Sequence, residues 1–199
     1  VATQAQSLCA VRYACGVPSL CEITNARRVA PSVLRYKGGK AMKVQDVMNS
    51  KVQSCQPTTN LAAAAAVMWD YDCGALPVVN DAGQVMGMIT DRDIAIAAAT
   101  KGRPAGEITV SEVISGNMYS CAQDDDIHAA LKTMRHAKVR RLPVVNAEGR
   151  LQGILCMNDI ALRAEEAHGK HVPALSYDEA MSTFKALCEH RAATVAAHA

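Results

Sequence analysis

Apolar and polar positions in this chain repeat one sequence of rhythms twice. Leu76–Val79 and Leu142–Val145 are short apolar runs. Polar turns follow, Asn80-Asp81-Ala82-Gly83 and Asn146-Ala147-Glu148-Gly149, and lead into the apolar runs Val85–Ile89 and Leu151–Leu155. That spacing predicts two β-hairpins. Upstream of each hairpin the rhythm is helical, over roughly 59–72 and 125–138, and in the second helix Ile127, Ala130, Leu131 and Met134 make one apolar stripe. Thr58 and Asp124 stand where a side-chain oxygen can accept the free amides of a first helical turn. Short strands are expected around Val52–Cys55 and Met118–Cys121, each after a helical turn ending at Val47-Met48 or Val113-Ile114. Helices are expected from Asp91 to Lys101 and from Met157 to His168. The order β-α-β-β-α therefore occurs twice.

A shift of 66 residues aligns Val44–Ala98 with Val110–Ala164 without a gap, and 18 of the 55 pairs are identical. Register held over that length identifies two homologous units. A single unit has too little sheet to cover both its apolar faces, so the two are expected to pack sheet against sheet. The predicted fold class is α/β (α+β), a tandem repeat closed into one pseudo-twofold module. The first unit is placed at 42–101 and the second at 108–166, with an N-terminal extension at 1–41 and a C-terminal helical extension at 167–199. Ser176 and Glu179 have capping-box spacing, and the helix they open is expected to run to about Ala196. Met181, Phe184, Leu187 and Cys188 are its expected buried stripe.

Half of the residues are apolar, so the chain can bury a sizeable core. Its 21 Lys+Arg against 19 Asp+Glu argue against general phosphate-backbone binding. Within that balance, residues 1–41 hold six basic residues and only Glu22 as acid, a bias that vaguely resembles an organelle transit peptide. The repeat body is mildly acidic, and with one Trp and one Phe it offers no coherent nucleic-acid surface. Charged residues interrupt every candidate membrane span, so no membrane insertion is expected. The eight cysteines lie mostly at core positions and read as reduced thiols, consistent with a cytoplasmic protein. No metal-ligand spacing accompanies them. The histidines are scattered without a matching nucleophile, so the expected class is non-enzymatic.

Candidate chemistry sits where each hairpin enters its second helix. Thr90-Asp91-Arg92-Asp93 places a hydroxyl and a carboxylate three residues apart, an arrangement that also caps a helix. Cys156-Met157-Asn158-Asp159 keeps the carboxylate and replaces the hydroxyl by a weakly bonding thiol. The second unit carries His136, Lys138, Arg140 and Arg141 where the first has Asp70, Asp72, Gly74 and Ala75. The two related sites are thus unequal in charge.

The stretches "ALPVVNDAGQVMGMITDRDIA" and "RLPVVNAEGRLQGILCMNDIA", with "VMNSKVQSCQPTTNLAAAAAVM" before them, resemble the cystathionine-β-synthase (CBS) domain family over about 42–166. The resemblance implies a regulatory module that needs no cofactor and binds AMP, ADP, ATP or S-adenosylmethionine in clefts between paired sheets. It implies ribose contact by Asp93 and Asp159, assisted by Thr90 and, more weakly, Cys156. Phosphate contacts fall to Arg141, Arg140 and Lys138, with Arg92 able to reach across a cleft. The base is expected against the backbone and apolar side chains near Ile108 and Met118. It also implies a homodimer through paired modules, acting on an enzyme or transporter. The alternative is a protein-interaction scaffold whose clefts are empty or degenerate.

Overall fold

A computed structural model describes residues 41–114, 118–168 and 172–189. In the first unit, helix α1 (Leu61–Asp70) is followed by strands β1 (Ala75–Val79) and β2 (Val85–Thr90) and helix α2 (Asp91–Thr100). The second unit has β3 (Cys121–Ala122), α3 (Ile127–Ala137), β4 (Arg141–Val145), β5 (Leu151–Cys156) and α4 (Met157–Arg163), and α5 (Tyr177–Cys188) follows.

Both hairpins form as their periodicity predicts. Along β2, buried Val85, Gly87 and Ile89 alternate with half-buried Met86, Met88 and Thr90, the period-two pattern of a strand with one face inside. The turns are built by Asn80 and Asn146. Asn80 Oδ1 accepts from the amides of Ala82 (3.1 Å) and Gln84 (2.9 Å), and Asn146 Oδ1 from Glu148 (3.1 Å) and Arg150 (2.9 Å). Gly83 and Gly149 follow at φ +77° and +78°, where a Cβ is strained. β4 pairs with β5 antiparallel and with β3 parallel. In the first unit the expected strand at 52–55 shrinks to one parallel bridge, Cys55 with Val78.

Several boundaries differ from the sequence expectation. The caps are Asn60, which accepts from Ala63 N (2.8 Å), and Asp126, which accepts from His128 N (2.8 Å); each is two residues beyond the predicted Thr58 and Asp124. Asp124 instead pairs with Lys43 at 3.0 Å. Helix α4 stops at Arg163 because Ala164 is extended, which lets Glu165 bridge in parallel to Ser176. Likewise α5 stops at Cys188, with Glu189 extended. Its buried positions are Ala180 and Thr183 with part of Leu187, while Met181, Phe184 and Cys188 face outward. The expectations for residues 1–40 and for 190–196 lie outside the described residues.

The two units interlock by exchanging their leading turns. The Val44 amide donates to Asp125 O (2.9 Å) and Ile127 N to Met42 O (3.0 Å). Reciprocally, Val110 N donates to Thr59 O (2.8 Å) and Leu61 N to Ile108 O (2.9 Å). Every one of these bonds maps onto its counterpart under the 66-residue shift. Consequently Val44 and Val47 lie in the core of the second unit, and Ile108 and Val110 in that of the first. The hairpin tips meet with the same reciprocity, Val85 N to Gly149 O (3.0 Å) and Leu151 N to Gly83 O (3.1 Å). Exchanged turns tie the stability of each core to the presence of the other unit.

Helix α5 breaks this symmetry by packing on α3 and α4. It runs alongside α3 in the same direction. His128 Nε2 lies 3.1 Å from Glu179 Oε1, Arg135 Nη1 donates to Thr183 Oγ1 (3.2 Å), and Lys138 Nζ reaches the Ala186 carbonyl and Glu189 Oε2 (2.7 Å).

Candidate functional site

The hydroxyl–carboxylate pair of the first unit is closed into a capping box. The Thr90 amide (3.0 Å) and Oγ1 (2.7 Å) both donate to Asp93 Oδ2, and Thr90 Oγ1 accepts from Asp93 N at 3.2 Å. The capping reading is therefore fulfilled, and it consumes one carboxylate oxygen. Asp93 Oδ1 takes no hydrogen bond among the described residues, on a side chain that is only partly buried. A half-buried carboxylate oxygen with no donor is an acceptor for an incoming hydroxyl.

The second unit repeats the backbone half of this box, with Cys156 N donating to Asp159 Oδ2 at 2.9 Å. Burial pushes the Cys156 thiol up to about 11; the neighbouring Asp159 charge adds to the rise and the Arg141 guanidinium opposes it. Arg141, Cys156 and Asp159 are thereby gathered at one corner. Their meeting follows from register, since Arg141 and Cys156 are cross-strand partners at the open end of β4 and β5.

Arg141 also leaves its own unit. A Cβ built on Gly74 would lie 3.5 Å from Arg141 Nη2 and 3.0 Å from Asp91 Oδ2, so the guanidinium of the second unit stands at the β1–β2–α2 corner of the first. Asp91 is anchored there, its amide donating to Gly74 O (3.3 Å) and its Oδ1 accepting from Arg92 N (2.7 Å). Arg141 forms no ion pair among the described residues. Gly74 was visible in the sequence only as the residue aligned with Arg140. Its role as the gap that Arg141 fills depends on the packing of one unit against the other.

Two of the other sequence candidates, Lys138 and Ile108, are engaged elsewhere. Lys138, in the left-handed conformation at the end of α3, is held by the last turn of α5. Ile108 is fully buried in the first core, and its carbonyl is taken by Leu61 N. Arg92 and Arg140 are exposed, and Met118 is half-buried ahead of β3. Among the described residues no group of three or more His, Cys, Asp or Glu could hold a metal ion. No helix among them is long and apolar enough to cross a membrane.

Known proteins resemble this chain in sequence and fold. The chain is 34% identical over 136 residues to the CBS domain-containing protein YhcV of Bacillus subtilis, covering 67% of this chain and 95% of that one. It is similar to the crystal structure of Hypoxic Response Protein I, solved with two coordinated zinc ions, at 35% identity and TM-score 0.57, over 62% of this chain and all of that one. The CBS domain pair of protein MJ0100, solved with 5′-methylthioadenosine and S-adenosyl-L-methionine, shares the fold at TM-score 0.57 and 24% identity, covering 62% of this chain and 95% of that one. The CBS domain model matches residues 44–100 and again 105–166. With both matches coinciding with the two interlocked units, this chain belongs to the CBS-domain family, a characteristically non-catalytic one, and carries a tandem pair.

Proposed function

We propose that the pair is a regulatory module that binds an adenosine-containing ligand, AMP, ADP, ATP or S-adenosylmethionine, in the cleft between its units. The observation that carries this reading is the Asp93 carboxylate, which Thr90 fixes through Oδ2 while Oδ1 remains open to a ribose hydroxyl. Asp159 repeats the arrangement with its partner hydroxyl lost, which makes the second position the weaker one. Arg141 supplies positive charge beside both helix starts, with Arg140 and Arg92 at the rim. A pair of the same fold holding two adenosyl compounds supports the ligand class. Ile108 and Lys138 are left out of the proposed contacts because core packing and α5 respectively engage them. Pairing with a second copy of the chain, and coupling to an enzyme or transporter, belong to the same proposal.

Titration calorimetry of the full chain with AMP, ADP, ATP and S-adenosylmethionine tests it, with Asp93→Ala and Asp159→Ala alongside. Saturable binding that Asp93→Ala removes and Asp159→Ala weakens less is the expected result. Silence across the panel would sink the ligand reading and favour an interaction scaffold.

A further inference from the structure

Helix α5, which lies beyond both repeats, is docked with its more polar side inward. Toward the second unit it turns Ala180 and Thr183 with part of Leu187, and polar contacts hold it there, Arg135 Nη1 to Thr183 Oγ1 and His128 to Glu179 among them. Toward solvent it turns Tyr177, Met181 and Phe184, which are 55%, 55% and 43% exposed, and then exposed Cys188. Single exposed apolar residues are ordinary, but these stand on one line of one helix. Their spacings of four, three and four residues place Met181 and Cys188 at the a positions of a heptad and Tyr177 and Phe184 at the d positions. That period is the one a helix uses to pack along a second helix. Exposed Asp178 and Lys185 flank the line at successive e positions, and neither forms an ion pair among the described residues.

From this face we infer that two copies of the chain pair through α5, with the two helices antiparallel about a twofold axis at their middle. The charges select both the occupant and its direction. In an antiparallel pair the a and d layers alternate, Met181 against the partner's Phe184 and Tyr177 against the partner's Cys188, and e positions face e positions. Asp178 of each copy then stands beside Lys185 of the other, so the face is complementary to itself, as a twofold contact requires. In a parallel pair e faces g, and the g positions are Ala180 and Leu187, which answer neither charge. The inference deepens the pairing of copies stated above by supplying its surface, and it is independent of the ligand reading. Helices of twelve residues, each about 18 Å long, cover less than the roughly 1,200 Å² of a standard interface. The dimer is therefore weak and reversible, with a dissociation constant of about 10–100 µM.

The test is sedimentation equilibrium of the full chain from about 5 to 500 µM, a range that brackets the expected constant. Wild type is compared with Phe184→Glu, Lys185→Asp and Asp178→Lys, each checked for an unchanged far-UV spectrum and melting midpoint. Wild type should pass from monomer to dimer, and Phe184→Glu should remain monomeric throughout. Lys185→Asp and Asp178→Lys each turn two attractions into two repulsions, so each alone should dimerise about 10- to 30-fold more weakly. An equimolar mixture of those two variants restores opposite charges at both contacts and should recover dimer to within about threefold of the wild-type constant. A wild-type dimer that Phe184→Glu leaves intact would overturn the α5 seam while the pairing of copies stands. A mixture that associates no better than its components would overturn the antiparallel arrangement. A wild-type chain that stays monomeric across the range would overturn both the seam and the pairing.

Discussion

Gly153 is the position where a single methyl group should do most damage to the interlock between the two units. It sits in β5 beside the chain entering the first unit, and a Cβ built on it falls 2.6 Å from the Asn49 carbonyl oxygen and 3.2 Å from the Met48 sulfur. The first neighbour is backbone, which cannot rotate away. That same Asn49 residue is joined to Ile154 by two backbone hydrogen bonds of 2.9 Å, one in each direction. Relieving the clash requires the 48–50 segment to retreat by most of an ångström, which breaks both bonds. Their net loss costs about 1 kcal/mol each, and the strain of partial relaxation about 1–3 kcal/mol more. Gly153→Ala should therefore destabilise the chain by roughly 3–5 kcal/mol. In urea titration followed by far-UV circular dichroism, that is a midpoint about 1.5–2.5 M lower at a slope of about 2 kcal/mol/M. Gly106→Ala is the matched control, since a Cβ there meets nothing within 4 Å, and it should stay within about 0.5 kcal/mol of wild type. A Gly153→Ala variant as stable as the Gly106→Ala control would refute the argument that this backbone approach is rigid.

Other consequences can be measured with the same chain. Asp126→Ala should cost about 1 kcal/mol by uncapping α3, whereas Asp124→Ala, whose side chain pairs with the exposed Lys43, should change stability by less than about 0.5 kcal/mol; a larger effect at Asp124 would return the cap to that residue. Thr183 is fully buried, with its hydroxyl accepting from Arg135 and donating to the Glu179 carbonyl at 2.9 Å, so Thr183→Val should loosen α5 by about 1 kcal/mol, read as faster amide exchange in 177–188. Burial raises the Cys55 and Cys156 thiols to about 11 and Cys121 to about 12, so alkylation of these three should be slow at pH 8 and speed up about tenfold per pH unit towards 11, after exposed Cys188 has reacted. Their linkage has a definite sign. The unfolded thiols ionise near 9 while the folded ones hold their protons, so this contribution to stability is intact below about pH 9 and declines above it. Urea midpoints unchanged between pH 8 and 10 would contradict it.

The β-α-β-β-α order, the hairpins and the duplication were legible in the sequence because they rest on local physics. Alternating apolar positions, Asn-x-x-Gly turns and an exact 66-residue register each report on a few neighbouring residues. The Thr90–Asp93 box was legible for the same reason, as hydroxyl and carboxylate three residues apart at a helix start. Tertiary structure decided the rest. Nothing local says that Val44 belongs to the core of the second unit and Ile108 to that of the first, since either turn satisfies its own periodicity in place or exchanged. Lys138 reads in sequence as a free cation beside Arg140 and Arg141, yet the carbonyl of Ala186 and the carboxylate of Glu189, some fifty positions onward, claim it. Along α5 the outward turn of Met181 and Phe184 is set by Thr183, whose hydroxyl is satisfied on the inner face by Arg135. Finally, the meeting of Arg141 with Gly74 and Asp91 is a distance between two units, and a linear pattern carries charge and spacing but no such distance.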